Sequence, residues 1–94
     1  MIRHIVAFSA KDPAEIETIA TALRRLGEIP GVRDFRVARN AKRDALSQDM
    51  DVVLEATFDC WADLERYKAH PTYAATTEVV RPMREQRTVL DYEI

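Results

Sequence analysis

The chain has 94 residues, 47% of them hydrophobic, and its 14 basic and 16 acidic side chains give a formal charge of −2. This length predicts one domain, residues 1–94, and the balanced charge excludes the basic surface typical of nucleic-acid binding. No segment approaches the roughly 18–20 apolar residues of a membrane span. The single cysteine, Cys60, excludes an intrachain disulfide and a cysteine-cluster metal site. Composition therefore predicts a soluble, cytoplasmic domain without nucleic-acid or membrane partners.

The first third of the chain reads as a strand followed by a helix. Ile2 to Phe8 is rich in β-branched and aromatic residues and places His4, Val6 and Phe8 on one face. Asp12-Pro13-Ala14-Glu15 predicts a capped helix start, and Gly27 predicts the helix end. Apolar residues recur at helical spacing between them, at Ile16, Ile19, Ala20, Leu23 and Leu26.

Two further strands are predicted at Val32 to Arg39 and Met50 to Phe58, with a polar loop between them. Asp59 is then expected to cap a second helix, which His70-Pro71 interrupts because proline disfavours helical backbone in the residue before it.

A second helical piece follows this break, with Tyr73, Thr77, Val80 and Arg84 on one face. Pro82 should end or kink that piece, and Arg87 to Glu93 completes the chain as a fourth strand.

This β-α-β-β-α-β order predicts an α+β, ferredoxin-like domain with a four-stranded antiparallel sheet and its helices on one face. Several apolar residues are expected on the other face: Ile5, Ala7, Phe35, Val37, Val53 and Val89. An apolar patch of that extent is unusual on a monomer. We therefore expect a homodimer in which two sheets pack face to face as a dimeric α+β barrel.

The residues resemble the stress-responsive A/B barrel (Dabb) family of the dimeric α/β-barrel superfamily. The matching features are Ile2-Arg3-His4-Ile5-Val6, Ile29-Pro30-Gly31-Val32, Tyr67 through His70-Pro71, Arg81-Pro82 and Asp91-Tyr92-Glu93. They span nearly the whole chain in the family's order, and their combination carries the specificity. The resemblance implies a ferredoxin-like dimer with a small pocket between helices and sheet in each subunit.

The resemblance also implies candidate site residues. Family members of known activity are cofactor-free polyketide cyclases that use a histidine and a tyrosine for an aldol condensation. Their tyrosine corresponds to Tyr67, and a strand histidine such as His4 lines the same pocket. Their catalytic histidine lies three residues after the His-Pro histidine, where this chain has Tyr73. The cyclase activity therefore does not carry over directly.

His4 and Tyr67 are the candidate catalytic residues. A histidine titrates near neutral pH, and a tyrosine is a better proton or hydrogen-bond donor than base. Each has a structural alternative, as a satisfied strand histidine and as a half-buried helix tyrosine. The expected substrate-binding residues are Val6, Leu54, His70, Tyr73, Thr76, Thr77 and Arg84.

Three of these binding residues also have a structural reading. His70 can satisfy backbone groups freed at the helix break, and Tyr73 can be simple packing. Arg84 is either a solvated charge or a guanidinium that meets a carboxylate ligand.

No metal and no cofactor are expected, because the two histidines lie far apart and no glycine-rich phosphate loop is present. The first hypothesis is a cofactor-independent lyase or cyclase acting on a compact carbonyl or phenolic compound. In it His4 takes a proton and Tyr67 binds the enolate oxygen. The alternatives are a non-catalytic, stress-associated domain that binds a ligand in the same pocket, and a purely structural dimer.

Overall fold

The computed structural model describes residues 1–94 and has the ferredoxin-like fold that the sequence predicts. Its strands are β1 (Ile2–Ala10), β2 (Arg33–Arg39), β3 (Val52–Phe58) and β4 (Arg84–Glu93). Its α-helices are α1 (Ile16–Arg24), α2 (Trp61–Ala69) and α3 (Pro71–Val80). The strands form one antiparallel sheet in the order β2-β3-β1-β4. None of the helices is long and apolar enough to cross a membrane.

The core lies between the helices and one face of the sheet. Val6 stands opposite Leu54 of β3 and Val89 of β4, so these three side chains project to the same face. Ile19 and Leu23 of α1 belong to the same buried cluster. Fully burying an aliphatic side chain of this kind contributes roughly 1.5–3 kcal/mol, so the alternation of β1 and β3 fixes which face receives the helices.

The structure corrects the predicted composition of the open sheet face. Val37 pairs with Leu54, and Phe35 has the same parity along β2, so both side chains face the helices. Val89 does the same because it pairs with Val6. The pairing of β2 with β3 is irregular between Arg33 and Arg36, where Asp34 has a φ of 47°.

The open face remains partly apolar without those three residues. Ile5, Ala7 and Val53 lie on it, as predicted, and the register adds Leu90 and Tyr92. Leu90 is 61% exposed and Tyr92 is 51% exposed.

Several predicted element ends differ in the structure. Asp12 does cap the first helical turn, with its carboxylate accepting from the amide of Ala14 at 2.9 Å. Asp59 does not cap α2 and instead pairs with Arg33 at 2.7 Å. Arg84 is the first residue of β4, because α3 ends at Val80 and a turn follows it.

Gly27 has a packing role instead of ending the helix. α1 ends before it, and the chain continues as a 3₁₀ helix from Arg25 to Glu28. A Cβ atom on Gly27 would lie 2.6 Å from Cδ1 of Phe35. The glycine is therefore required where the Phe35 ring approaches the backbone closely.

Candidate active site

A cavity of about 180 Å³ lies between the helices and the sheet. Its apolar wall consists of Val6, Phe8, Leu23, Leu26, Leu54 and Val80. Its polar lining consists of His4, Tyr67, Tyr73, Thr76, Thr77, Arg81, Arg84 and Arg87. This volume is below the ~300–1,000 Å³ of pockets for drug-sized ligands, so the cavity suits a compact molecule.

The structure brings eight of the nine expected site residues to this cavity. The exception is His70, which lies outside the lining. Its Nδ1 accepts a hydrogen bond from the amide of Thr72 at 3.1 Å and caps the start of α3. Its position therefore follows from the helix break at Pro71, the structural alternative considered above.

His4 is held by a residue of the neighbouring strand. The pairing of β1 with β4 sets His4 directly opposite Asp91, and His4 Nδ1 lies 2.5 Å from Asp91 Oδ1. An ionised carboxylate only accepts hydrogen bonds, so Nδ1 carries the proton and Nε2 keeps a free lone pair. Every fully buried polar side-chain atom has a hydrogen-bond partner within the protein. Nε2 of His4 has no such partner, so it is not fully buried and is accessible from the cavity that His4 lines.

The electrostatic surroundings keep His4 neutral. Burial lowers the pKa of His4 below its ordinary value of 6.5, and the hydrogen bond and charge of Asp91 oppose this. The positive charges of Lys68 and Arg87 lower the pKa further. The imidazole is therefore uncharged at neutral pH and can accept a proton through Nε2.

Tyr67 supplies a hydrogen-bond donor beside this base. Its ring is 1% exposed, and its centroid lies 6.0 Å from that of His4 in an edge-on arrangement. The Tyr67 hydroxyl makes no hydrogen bond within the chain. Since every fully buried polar atom has a partner, this hydroxyl is not fully buried and reaches the cavity. Burial raises the pKa of Tyr67 well above its ordinary value, with Tyr73 adding to the effect and Arg87 opposing it. The phenol therefore stays protonated and can donate its proton in a hydrogen bond to an acceptor at physiological pH.

Tyr73 and the arginines complete the polar side of the cavity. The Tyr73 ring packs edge-on against Tyr67 with centroids 5.2 Å apart, and its hydroxyl accepts from Arg87 Nη2 at 3.3 Å. Burial lowers the pKa of Arg84, and the neighbouring charges of Arg87 and Arg81 add to this. Three arginines thus line the cavity, and the charges of Arg81 and Arg87 are near enough to Arg84 to lower its pKa.

Sequence reasoning missed Asp91, Arg81 and Arg87 as site residues. Asp91 shares the parity of Val89 along β4, but Val89 was expected on the open face, so only the observed register places Asp91 on the helix-facing side. Arg87 has the same parity as Val89 and was the first residue of the predicted strand. No local pattern marks Arg81, because only the turn between α3 and β4 brings it to the cavity.

Comparison with known proteins decides the family. The model of the stress responsive A/B barrel domain matches residues 2–94. The chain belongs to this family. No curated protein matches it. A Dabb family protein with a ferredoxin-like fold from Mesorhizobium loti is 26% identical with a TM-score of 0.84, covering 99% of this chain and 95% of that one.

Two other solved structures show how widely the fold of this A/B barrel domain is shared. A dimeric ferredoxin-like protein of unknown function from Thermobifida fusca is 25% identical, with a TM-score of 0.84 and coverage of 99% of this chain and 90% of that one. The hydroxynitrile lyase from Passiflora edulis is 22% identical, with a TM-score of 0.82 and coverage of 99% and 92%. At that identity the lyase supports the fold alone.

The A/B barrel domain therefore presents a neutral base and a protonated phenol to one small cavity. The chain has no group of three or more His, Cys, Asp or Glu side chains placed to bind a metal ion. The chemistry that His4 and Tyr67 can perform directly is proton transfer, with hydrogen bonding to an oxygen that gains negative charge.

Proposed function

We propose that this A/B barrel domain is a homodimer that binds a compact carbonyl or phenolic compound and acts on it as a cofactor-independent lyase or cyclase. The observation that carries the proposal is the pairing of two free polar groups in one cavity. One is Nε2 of His4, whose other ring nitrogen is held by Asp91, and the other is the unpartnered hydroxyl of Tyr67.

The proposed reaction begins with proton abstraction beside a carbonyl. Nε2 of His4 takes the proton, the electron pair of the C–H bond forms the new carbon–carbon double bond, and the π pair of the carbonyl moves onto its oxygen. Tyr67 donates a hydrogen bond to that oxygen as it becomes an enolate, and Asp91 stabilises the imidazolium. The enolate then attacks a second carbonyl or expels a leaving group, and His4 returns the proton. Each positioned group contributes roughly 10²–10⁴-fold to such a rate.

The mildest form of this chemistry is proton exchange, which needs no knowledge of the natural substrate. Acetophenone in D₂O should incorporate deuterium into its methyl group faster with the protein than with buffer, as followed by proton NMR. His4→Gln should abolish the acceleration because the amide is not a base. Equal exchange by the unmodified protein and by His4→Gln would contradict the proposed role of His4.

A second function is favoured by one observation, the tyrosine at position 73. Family cyclases have their catalytic histidine there, and in this chain the Tyr73 hydroxyl is already engaged by Arg87. A site with one base is suited to holding a ligand without turning it over, as in a stress-associated binding domain. Ligand binding in the cavity with no proton exchange in any carbonyl compound tested would favour this alternative.

The homodimer is proposed from the open sheet face. Ile5, Val53 and Leu90 line its centre, next to the ion pair of Arg3 with Glu55 at 3.0 Å. Two such faces packed together would remove the exposed apolar side chains from water. The dimeric protein from Thermobifida fusca has the same fold, which supports this arrangement.

The oligomeric state can be tested with one buried charge. Ile5→Lys should convert the dimer into a destabilised monomer, as seen by analytical ultracentrifugation, because an unpaired ammonium in an apolar interface is costly. Thr21→Lys adds the same charge to the exposed side of α1 and should leave the dimer intact. A monomeric unmodified protein would disprove the proposed barrel.

The proposal also places the protein in a reducing cytoplasm. Cys60 is exposed and is the chain's one cysteine, so it has no partner for an intrachain disulfide.

A further inference from the structure

The cavity carries a concentration of positive charge that the proton-transfer chemistry does not use. Arg81, Arg84 and Arg87 all line it, and its lining contains no aspartate or glutamate. His4 adds no negative charge, and the carboxylate of Asp91 is occupied by the imidazole. The chain itself therefore leaves the three guanidinium groups without an anionic partner at the cavity.

Most arginines outside the cavity have an acidic partner. Arg3, Arg24, Arg33, Arg39 and Arg66 each pair with a carboxylate, whereas the exposed Arg25, Arg36 and Arg43 do not. None of the three cavity arginines does. Grouping like charges is unfavourable, and the lowered pKa of Arg84 reflects both its burial and this repulsion. An anion bound between the guanidinium groups would relieve the repulsion.

The geometry also orients one of these groups. Arg87 donates through Nη2 to the Tyr73 hydroxyl at 3.3 Å, which ties its guanidinium to the cavity wall. A guanidinium has five N–H donors, so four remain for a ligand. Arg84 is half-buried, which strengthens its hydrogen bonds to an anion relative to those of a fully solvated arginine.

The apolar part of the cavity lining is buried. Val6, Leu23, Leu26 and Leu54 are all at most 4% exposed. A hydrated inorganic ion would leave this surface uncovered, whereas an organic anion would place its hydrocarbon part there. The small volume limits that part to about the size of one ring.

We propose that the ligand of this cavity is a compact organic carboxylate. Its carboxylate is bound by Arg84 and Arg87, and its apolar body packs against the buried apolar lining. The inference rests on the proposed function, since it names the class of molecule that the same cavity binds. Arg81, at the exposed side of the cavity, adds to the positive potential that attracts the anion.

Calorimetric titration with three probes tests this inference. Benzoate has the charge and the ring, benzamide keeps the ring without the charge, and inorganic phosphate has charge without an apolar body. Benzoate should bind at least about tenfold more tightly than either of the others, because hydrogen bonds to a charged group are the stronger ones. Equal affinity of benzoate and benzamide, or of benzoate and phosphate, would overturn the inference.

Matched variants locate the binding site. Arg84→Gln and Arg87→Gln should each weaken benzoate binding by roughly tenfold or more and leave benzamide binding nearly unchanged. Arg43→Gln removes the same charge from the exposed loop before β3 and should leave benzoate affinity unchanged. An equal loss of affinity in all three variants would indicate a general charge effect and would also overturn the inference.

The two proposals fail in different ways. If benzamide and benzoate bind equally and His4→Gln abolishes proton exchange in acetophenone, the carboxylate inference is wrong and the proposed function stands. If benzoate binds through Arg84 and no carbonyl compound exchanges its protons, the carboxylate site stands and the catalytic proposal is wrong.

Discussion

Replacing Tyr67 with phenylalanine should impair the reaction strongly and change the stability of the fold very little. The ring is buried, but its hydroxyl makes no hydrogen bond within the chain. A typical intramolecular hydrogen bond contributes about 0.5–1.5 kcal/mol, and here there is none to lose. Tyr67→Phe should therefore change the free energy of unfolding by less than about 0.5 kcal/mol, which is a shift in Tm below about 4 °C for a domain of this size.

The same substitution should strongly impair the reaction. Removing one donor to a developing oxyanion typically lowers a rate by about 10²–10³-fold, and deuterium incorporation into acetophenone should fall by that factor. Tyr92→Phe removes an identical hydroxyl from the open sheet face and should leave the exchange rate unchanged. Urea unfolding of each variant, at one protein concentration, measures the change in the free energy of unfolding.

Two results would refute this reasoning. A destabilisation above about 1.5 kcal/mol in Tyr67→Phe would show that the hydroxyl has a structural partner, since that is the cost of losing a hydrogen bond. An unchanged exchange rate would show that the phenol does not bind the enolate oxygen.

Three further predictions concern the cap, the glycine and the buried histidine. His70→Ala should cost about 0.5–2 kcal/mol by calorimetry, and His70→Asn should retain most of that stability because asparagine also caps a helix; equal losses would contradict the capping role. Gly27→Ala should destabilise by about 1–3 kcal/mol because the new methyl meets the Phe35 ring, and unchanged urea unfolding would show that the ring moves aside freely. The unfolded chain keeps a histidine pKa near 6.5 while burial lowers that of His4, so protonation favours unfolding. The stability from His4 should thus be complete above about pH 6.5 and decline as the pH falls below it, and His4→Gln should reduce that slope in thermal melts; an identical slope would contradict the lowered pKa.

The fold was predictable because its signals are local and periodic. Alternation in β1 and β3, the Asp12 cap and the His70-Pro71 break each arise from residues close together in sequence. The face assignment of Phe35, Val37 and Val89 was wrong because it depends on which residues of β3 and β1 these strands pair with, and alternation alone does not report that register.

The candidate site was predictable only where one element carries it. His4 and Tyr67 stand out by residue type and by resemblance to the family. His4 and Asp91 are 87 positions apart in the sequence and meet because β1 and β4 pair in a particular register. No local sequence pattern reports that register. Arg81 likewise reaches the cavity only through the turn between α3 and β4, which the sequence marks only by Pro82.

A crystal structure of the protein with 4-acetylbenzoate would show whether His4, Tyr67 and the cavity arginines engage one molecule, because this compound joins a carboxylate to a methyl ketone across one ring. The ring should lie in the cavity, with the acetyl oxygen within about 3 Å of the Tyr67 hydroxyl and the carboxylate on Arg84 and Arg87. The acetyl methyl group should face Nε2 of His4. A ligand bound elsewhere, or seated in the cavity with its acetyl group directed away from both His4 and Tyr67, would contradict the proposed site.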